Sequence, residues 1–344
     1  MGRRPPSLHW HASWLLPTVS EQNIACAASA SRRRRSLVLL PLALTLPGVL
    51  GAVTPEPGPW PRRSIQITVA YPPGGVSDQI ARSLADILAR QLGVAVIVEN
   101  KAGASGTLAL DLLARREPDG HSLCFVAATA FALTARAAGR RGVVPRLPVP
   151  VAGVMRTPML IVGTRSLKVD AFAQMIDMAR AQPGGIRWAT TGEGTTGHSV
   201  LDRVRMASGA EIVHIPYKGG AQQLTDALAG HFEVLSTNVA TAQLADIAAG
   251  RLVALAVGSP ARLDVLPDVP TLSELGYPGA NLDSLFGLFA PAGIPDAVVQ
   301  RVNQAVATAL GDLGFQGKLR SMNNLPFSGS AVDFSRQVAQ EARR

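Results

Sequence analysis

Two glycine-containing turns hold the residue types that receive an anion. The first reads Tyr71-Pro72-Pro73-Gly74-Gly75-Val76-Ser77-Asp78. The prolines end an apolar run, because they lack the amide proton that a strand ladder needs. Gly74 and Gly75 then permit backbone paths closed to other residues. Ser77 or Asp78 is placed to cap a helix predicted over residues 79–91. Such a turn aims unpaired N–H groups and the positive end of a helix dipole at one point, which suits a carboxylate. The second turn is Gly192-Glu193-Gly194-Thr195-Thr196-Gly197-His198. Its glycine amides, the hydroxyls of Thr195 and Thr196 and the helix that opens beside His198 suit the same kind of ligand. Ordinary βα turns with capping side chains would use the same residues.

Other chemistries find less support. The second turn matches G-x-G-x-x-G, but a dinucleotide site also needs an acid at the end of the next strand. That strand ends Ile215-Pro216-Tyr217-Lys218, and Glu211 stands at its beginning. Gly103-Ala104-Ser105-Gly106-Thr107 lacks the last glycine of a nucleophile elbow. The histidines are scattered, with no metal-binding spacing, so neither a metal nor a cofactor is expected. His214 alternates with apolar neighbours in a strand and reads as structural. His198 suits either a cap or a donor of both ring nitrogens to ligand oxygens. Asn238, after an apolar strand, suits either a turn or the orientation of a polar ligand.

The elements that must carry these turns alternate. Strand 65–71, a helix with Ile80, Leu84, Ile87, Leu88 and Leu92 on one face, strand 94–98, a helix over 107–116 and strand 122–127 imply a parallel sheet with right-handed crossovers. Residues 137–150 break the pattern. A second block repeats it, with strands predicted over 159–162, 186–190, 211–216, 232–236 and 252–257 and helices between them. An apolar strand at 285–290, a helix over 296–310, a short strand near 325–327 and a helix from Ala331 follow.

Residues 1–52 read as an export signal with an N-terminal extension. Arg32 to Arg35 precede a short apolar stretch that ends in small residues, and either a Sec or a twin-arginine route fits. That segment holds six arginines and Glu21, so the remainder has 27 basic and 23 acidic residues, a net of +4 against +9 for the whole chain. No basic run interleaved with aromatics remains, which argues against nucleic acid as a partner. Cys124, alone after the signal, sits in an apolar run as a small core residue.

The chain resembles the Bug receptors, the periplasmic substrate-binding proteins of tripartite tricarboxylate transporters. The matching stretches are Tyr71–Asp78, Val98–Gly106, Pro118–Gly120, Gly192–His198, Ile215–Gly220, Leu266–Thr271, Gly276–Gly279 and Gly287–Gly293, in the family's order. The resemblance implies an α/β, two-lobed fold of the type II periplasmic-binding kind, with a central sheet in each lobe and a ligand cleft between them. Residues 62–157 plus 257–344 would form lobe 1 and residues 158–256 lobe 2. It implies capture of a small carboxylate, without catalysis, for membrane permease subunits or a sensor. The facing loops map onto Pro73, Gly74, Gly75, Ser77 and Asp78 in one lobe and Thr195, Thr196, Gly197 and His198 in the other, with Asn238 nearby. Thr237, Gly197 and Ser199 depart from the usual pattern and bear on which ligand is bound. The competing reading is an exported α/β enzyme acting on a carboxylic acid, with His198 as base.

Overall fold

The computed structural model describes residues 60–140 and 146–343, so the predicted export signal lies outside the described residues. The first block follows the expected alternation: β1 (Ile65–Val69), α1 (Val76–Leu92), β2 (Val96–Asn100), α2 (Thr107–Leu113) and β3 (Ser122–Ala127). Helix α1 forms because Ile80, Leu84, Leu88 and Leu92 recur at helical spacing and all are buried. Gly93 closes it in the left-handed conformation, its amide bonded to the Ala89 carbonyl.

The chain then departs from expectation. Residues read as irregular form helix α3 (Ala128–Arg140) directly after β3. Strand β4 (Val149–Gly163) is far longer than the predicted 159–162. The second block comprises α4 (Phe172–Ala181), β5 (Ile186–Thr190), α5 (Thr196–Ser208), β6 (Ile212–Pro216), α6 (Gly220–Ala229), β7 (Val234–Asn238), α7 (Thr241–Ala248) and β8 (Val253–Gly258). Strand β9 (Asp283–Ala290), α8 (Asp296–Gly311), α9 (Leu313–Ser321), β10 (Leu325–Pro326) and α10 (Ala331–Arg343) complete it.

The strands run in the order β2-β1-β3-β9-β4-β7-β5-β6, with β8 and β10 also paired to β4. Strand β4 belongs to both halves. Its residues Val149 to Pro158 pair antiparallel with β9, and Met159 to Gly163 pair antiparallel with β7 and β8. Strand β4 therefore passes from one sheet to the other at Pro158 and Met159. The described residues belong to one compact unit. A core around Ile67, Leu84, Phe125 and Phe286 fills one face of the first sheet, and one around Trp188, Phe172 and Val200 fills one face of the second.

Residues 257–282, expected in the first lobe, pack on the second. Leu272, Ala280 and Leu282 join the Trp188 core, and Val257 and Val269 join the cluster around Phe232. The chain returns to the first sheet only at Asp283, so the second crossing lies beside the first: Pro158 pairs with Asp283 and Thr157 with Ser284.

This register decides where a ligand can sit. Strands β1 and β3 are parallel, and β9 runs against them, so Ser284 and Asp283 lie at their C-terminal edge. Strands β5, β6 and β7 are parallel, and Asn238 at the end of β7 pairs with Met159. The C-terminal edges of the two sheets thus face each other across residues 157–159. In open α/β sheets, ligands bind outside that edge.

Candidate functional site

The first turn joins β1 to α1, and the helix starts at Val76, three residues earlier than predicted. Gly75 is the N-cap, with no side-chain cap, so neither Ser77 nor Asp78 has the expected capping role. Asp78 instead reaches backwards from the first helical turn. Its Oδ2 accepts from the Gly74 amide at 2.9 Å and its Oδ1 from Asn100 Nδ2 at 2.9 Å. Arg82, one turn on, lies 3.0 Å away. Burial alone would raise the Asp78 pKa; the donors Arg82, Gly74 and Asn100 outweigh it and hold the carboxyl below its ordinary 3.8. Asn100 also donates to the Tyr71 carbonyl at 3.1 Å, so both ends of the turn are fixed. The expectation of an anion contact from the Gly74 amide is corrected: that N–H already serves Asp78. The amides of Gly75, Val76 and Ser77 have no acceptor among the described residues, as helix geometry leaves the first N–H groups free. Pro73, Gly74 and Gly75 are exposed and Ser77 is half-buried.

The second turn joins β5 to α5. Thr195 is the N-cap: its hydroxyl accepts from the His198 amide at 3.4 Å and donates to the Gly192 carbonyl at 2.8 Å. His198 Nδ1 accepts from the Gly194 amide at 2.9 Å, so the neutral ring carries its proton on Nε2, which lies 3.5 Å from Asp202. The ring stacks on His214, with centroids 4.2 Å apart and planes at 12°. The expectation that both nitrogens donate to a ligand is corrected, because one accepts from the loop and the other meets Asp202. Both ring nitrogens thus have partners within the second corner. Gly197 has a packing role. A Cβ there would stand 2.7 Å from Ser236 Oγ, whose proton goes to the Gly197 carbonyl at 3.0 Å, so its absence lets α5 sit on β7.

Thr196 is buried and Asn238 half-buried, and Ser284 of β9 joins them. Ser284 Oγ lies 2.7 Å from Asn238 Oδ1 and 3.0 Å from Thr196 Oγ1. Ser284 was not a sequence candidate; the one available signal was a polar residue heading an apolar strand.

The corners approach each other through their neighbours. Ser105, after β2, donates to the Glu193 carbonyl at 3.5 Å. Gly194, at φ +68°, lies so close to Leu133 of α3 that a Cβ would overlap it. The Tyr71 ring meets Phe286 at 5.8 Å, two residues along the same face of β9 from Ser284. The N-termini of α1, α3 and α5 are among those that start at the facing edges.

A cavity of about 590 Å3 lies elsewhere, on the side of β9 bearing Asp283 and Leu285 rather than Ser284. Its charged groups are mutually engaged: Arg156 with Asp283 and Gln337, and Arg336 with Asp333. No group of histidine, cysteine or acidic residues suited to a metal exists among the described residues. No described helix is long and apolar enough to cross a membrane.

His214 makes the second corner sensitive to acid. Burial, then the neighbouring His198 and Arg205, push its pKa down to about 4, while Asp202 and Glu193 pull the other way. The unfolded chain therefore binds a proton between pH 6.5 and 4 that the folded chain refuses. Stability should be level above about pH 6.5 and fall by about 1–2 kcal/mol towards pH 4, allowing for solvent screening. Thermal melts across this range check it: His214→Gln should flatten the slope, and an unchanged slope would contradict the assignment.

Two sheets with facing C-terminal edges, joined by two adjacent crossings, define a two-lobed solute-binding protein. Residues 80–344 match the family described as the tripartite tricarboxylate transporter family receptor. The chain is 32% identical to BugT of Bordetella pertussis, over 80% of this chain and 84% of that protein. Among solved structures, a protein of R. palustris with adipate is 31% identical with a TM-score of 0.73, covering 83% of this chain and 96% of its own. MatC of Rhodopseudomonas palustris with bound malate is 25% identical with a TM-score of 0.70, covering 83% and 98%. The chain belongs to the tripartite tricarboxylate transporter receptor family and is a solute-binding receptor.

Proposed function

We propose that the protein captures a small organic carboxylate between its lobes, in the periplasm, and delivers it to membrane permease subunits or a sensor. The observation that carries this reading is the opposition of free donors: the amides of Gly75, Val76 and Ser77 on one edge, and the α5 N-terminus with the Asn238 amide group on the other. Thr195 and Thr196 shape the second corner, while Asp78 and His198 hold the loops in place. Related proteins solved with adipate and malate support a dicarboxylate as the ligand class. Export by the predicted signal supports the location. Closure by a hinge at residues 157–159 and 282–283 would exclude water and strengthen each donor contact.

A thermal-shift screen of C4 to C6 dicarboxylates, on protein unfolded and refolded to remove carried ligand, tests the reading. A ligand at a hundred times its Kd stabilises by about 2.7 kcal/mol. The binding acid should raise the melting temperature by several degrees in proportion to the logarithm of its concentration. A flat response across the panel would overturn the reading.

A further inference from the structure

We propose that Ser284 is a positioning residue of the cleft, which holds Asn238 with its Nδ2 group turned outward as a donor to the ligand. This rests on the carboxylate reading above. Ser284 Oγ stands within hydrogen-bonding distance of Asn238 Oδ1, at 2.7 Å, and of Thr196 Oγ1, at 3.0 Å. Ser284 has one proton to give, and the amide oxygen of Asn238 has none. The Ser284 proton therefore goes to Asn238 Oδ1, and the Thr196 hydroxyl donates to Ser284 Oγ. With the Asn238 amide oxygen turned to Ser284, the relay runs from Thr196 through Ser284 and ends on that oxygen. The two N–H donors of Asn238 are left with no acceptor among the described residues, on a half-buried side chain at the C-terminal edge of β7.

Without the Ser284 hydroxyl, the Asn238 amide oxygen loses its side-chain partner and nothing in this set holds the group in place. Rotation by 180° would turn an acceptor oxygen towards the cleft, where it repels a carboxylate. The relay is also well protected. Ser284 and Thr196 are 4% and 5% exposed, so water does not compete for these bonds. It spans the hinge as well: Thr196 and Asn238 come from the second lobe, whereas Ser284 heads the strand that returns the chain to the first. The orientation of the donor is thereby tied to the place where the lobes join. The backbone supports the same arrangement, since the Val239 amide donates to the Pro158 carbonyl at 3.0 Å and fixes the end of β7 against β4.

The experiment is a double-substitution cycle on the full mature protein, read by calorimetric titration with adipate and with malate. Ser284→Ala should weaken the acid that binds by about tenfold, the typical value of one hydrogen bond to a charged group. Asn238→Ala should weaken it by at least as much. The two together should be no worse than Asn238→Ala alone, because Ser284 acts only through Asn238. Ser284→Thr, which keeps the hydroxyl on a strand that favours threonine, should recover most of the affinity. Thermal melts without ligand confirm that each variant is folded. Additive losses, no loss in Ser284→Ala, or failure of the threonine to rescue would overturn the assignment while the carboxylate reading stood. A wild type that binds neither these acids nor any other of the panel would overturn both.

Discussion

Asp78→Ala is expected to lower the unfolding free energy by about 3 kcal/mol, because it strips a buried acceptor from three donors at once. The Gly74 amide and the Asn100 side-chain amide lose their partner, and Arg82 loses its ion pair. Exposed ion pairs contribute little, but this carboxylate is only 5% exposed, and the bonds it accepts shape the turn itself. The free amides of Gly75 to Ser77 would lose their common aim, so affinity for adipate or malate should fall together with stability. Denaturant unfolding at neutral pH measures the first effect and calorimetric titration the second. The pH dependence has a definite sign. The folded pKa of Asp78 lies below its ordinary 3.8, so its contribution is present above that value and is lost as pH falls through the lower folded one. The alanine variant should lack that part of the acid limb. A variant as stable as the wild type would mean that the turn holds its shape without Asp78.

The second large effect belongs to Gly194→Val. Gly194 adopts φ +68°, where a β-branched side chain is strained, and its missing side chain leaves room for Leu133 from the other lobe. Valine there should keep the lobes apart with modest loss of folding stability. If the closed state is penalised by about 3 kcal/mol, apparent affinity falls about a hundredfold, since only the closed fraction binds tightly. Small-angle scattering should show a larger radius of gyration with ligand present than for the wild type. Adding Leu133→Ala should restore part of the affinity, because it removes the facing bulk. Undiminished affinity in Gly194→Val would contradict the interlobe contact as a condition of binding.

The two corners were legible in the sequence because their signals are local. Proline ends a strand and glycine permits the turn within a few residues, and the alternation of apolar runs and helical faces then sets the parallel sheets. What was missed depends on distant residues. Ser284 is separated from Thr196 by 88 positions and from Asn238 by 46, and nothing in a serine heading an apolar strand announces either contact. The engagement of both nitrogens of His198 needs Gly194 and Asp202 placed around it, and the stacking of its ring needs His214. Helix α3 escaped because Ala128 follows β3 without a turn or a capping residue, leaving no boundary to read. Residues 257–282 carry turn chemistry and few regular elements, so only the burial of Leu272, Ala280 and Leu282 reveals which lobe they complete.

The decisive measurement is a crystal structure of the protein grown with the acid that stabilises it most. One carboxylate group should lie within hydrogen-bonding distance of the amides of Gly75 to Ser77 and of Asn238 Nδ2, enclosed by both lobes. Electron density for the acid in the cavity beside Arg156 and Arg336, with the facing corners holding only solvent, would contradict it.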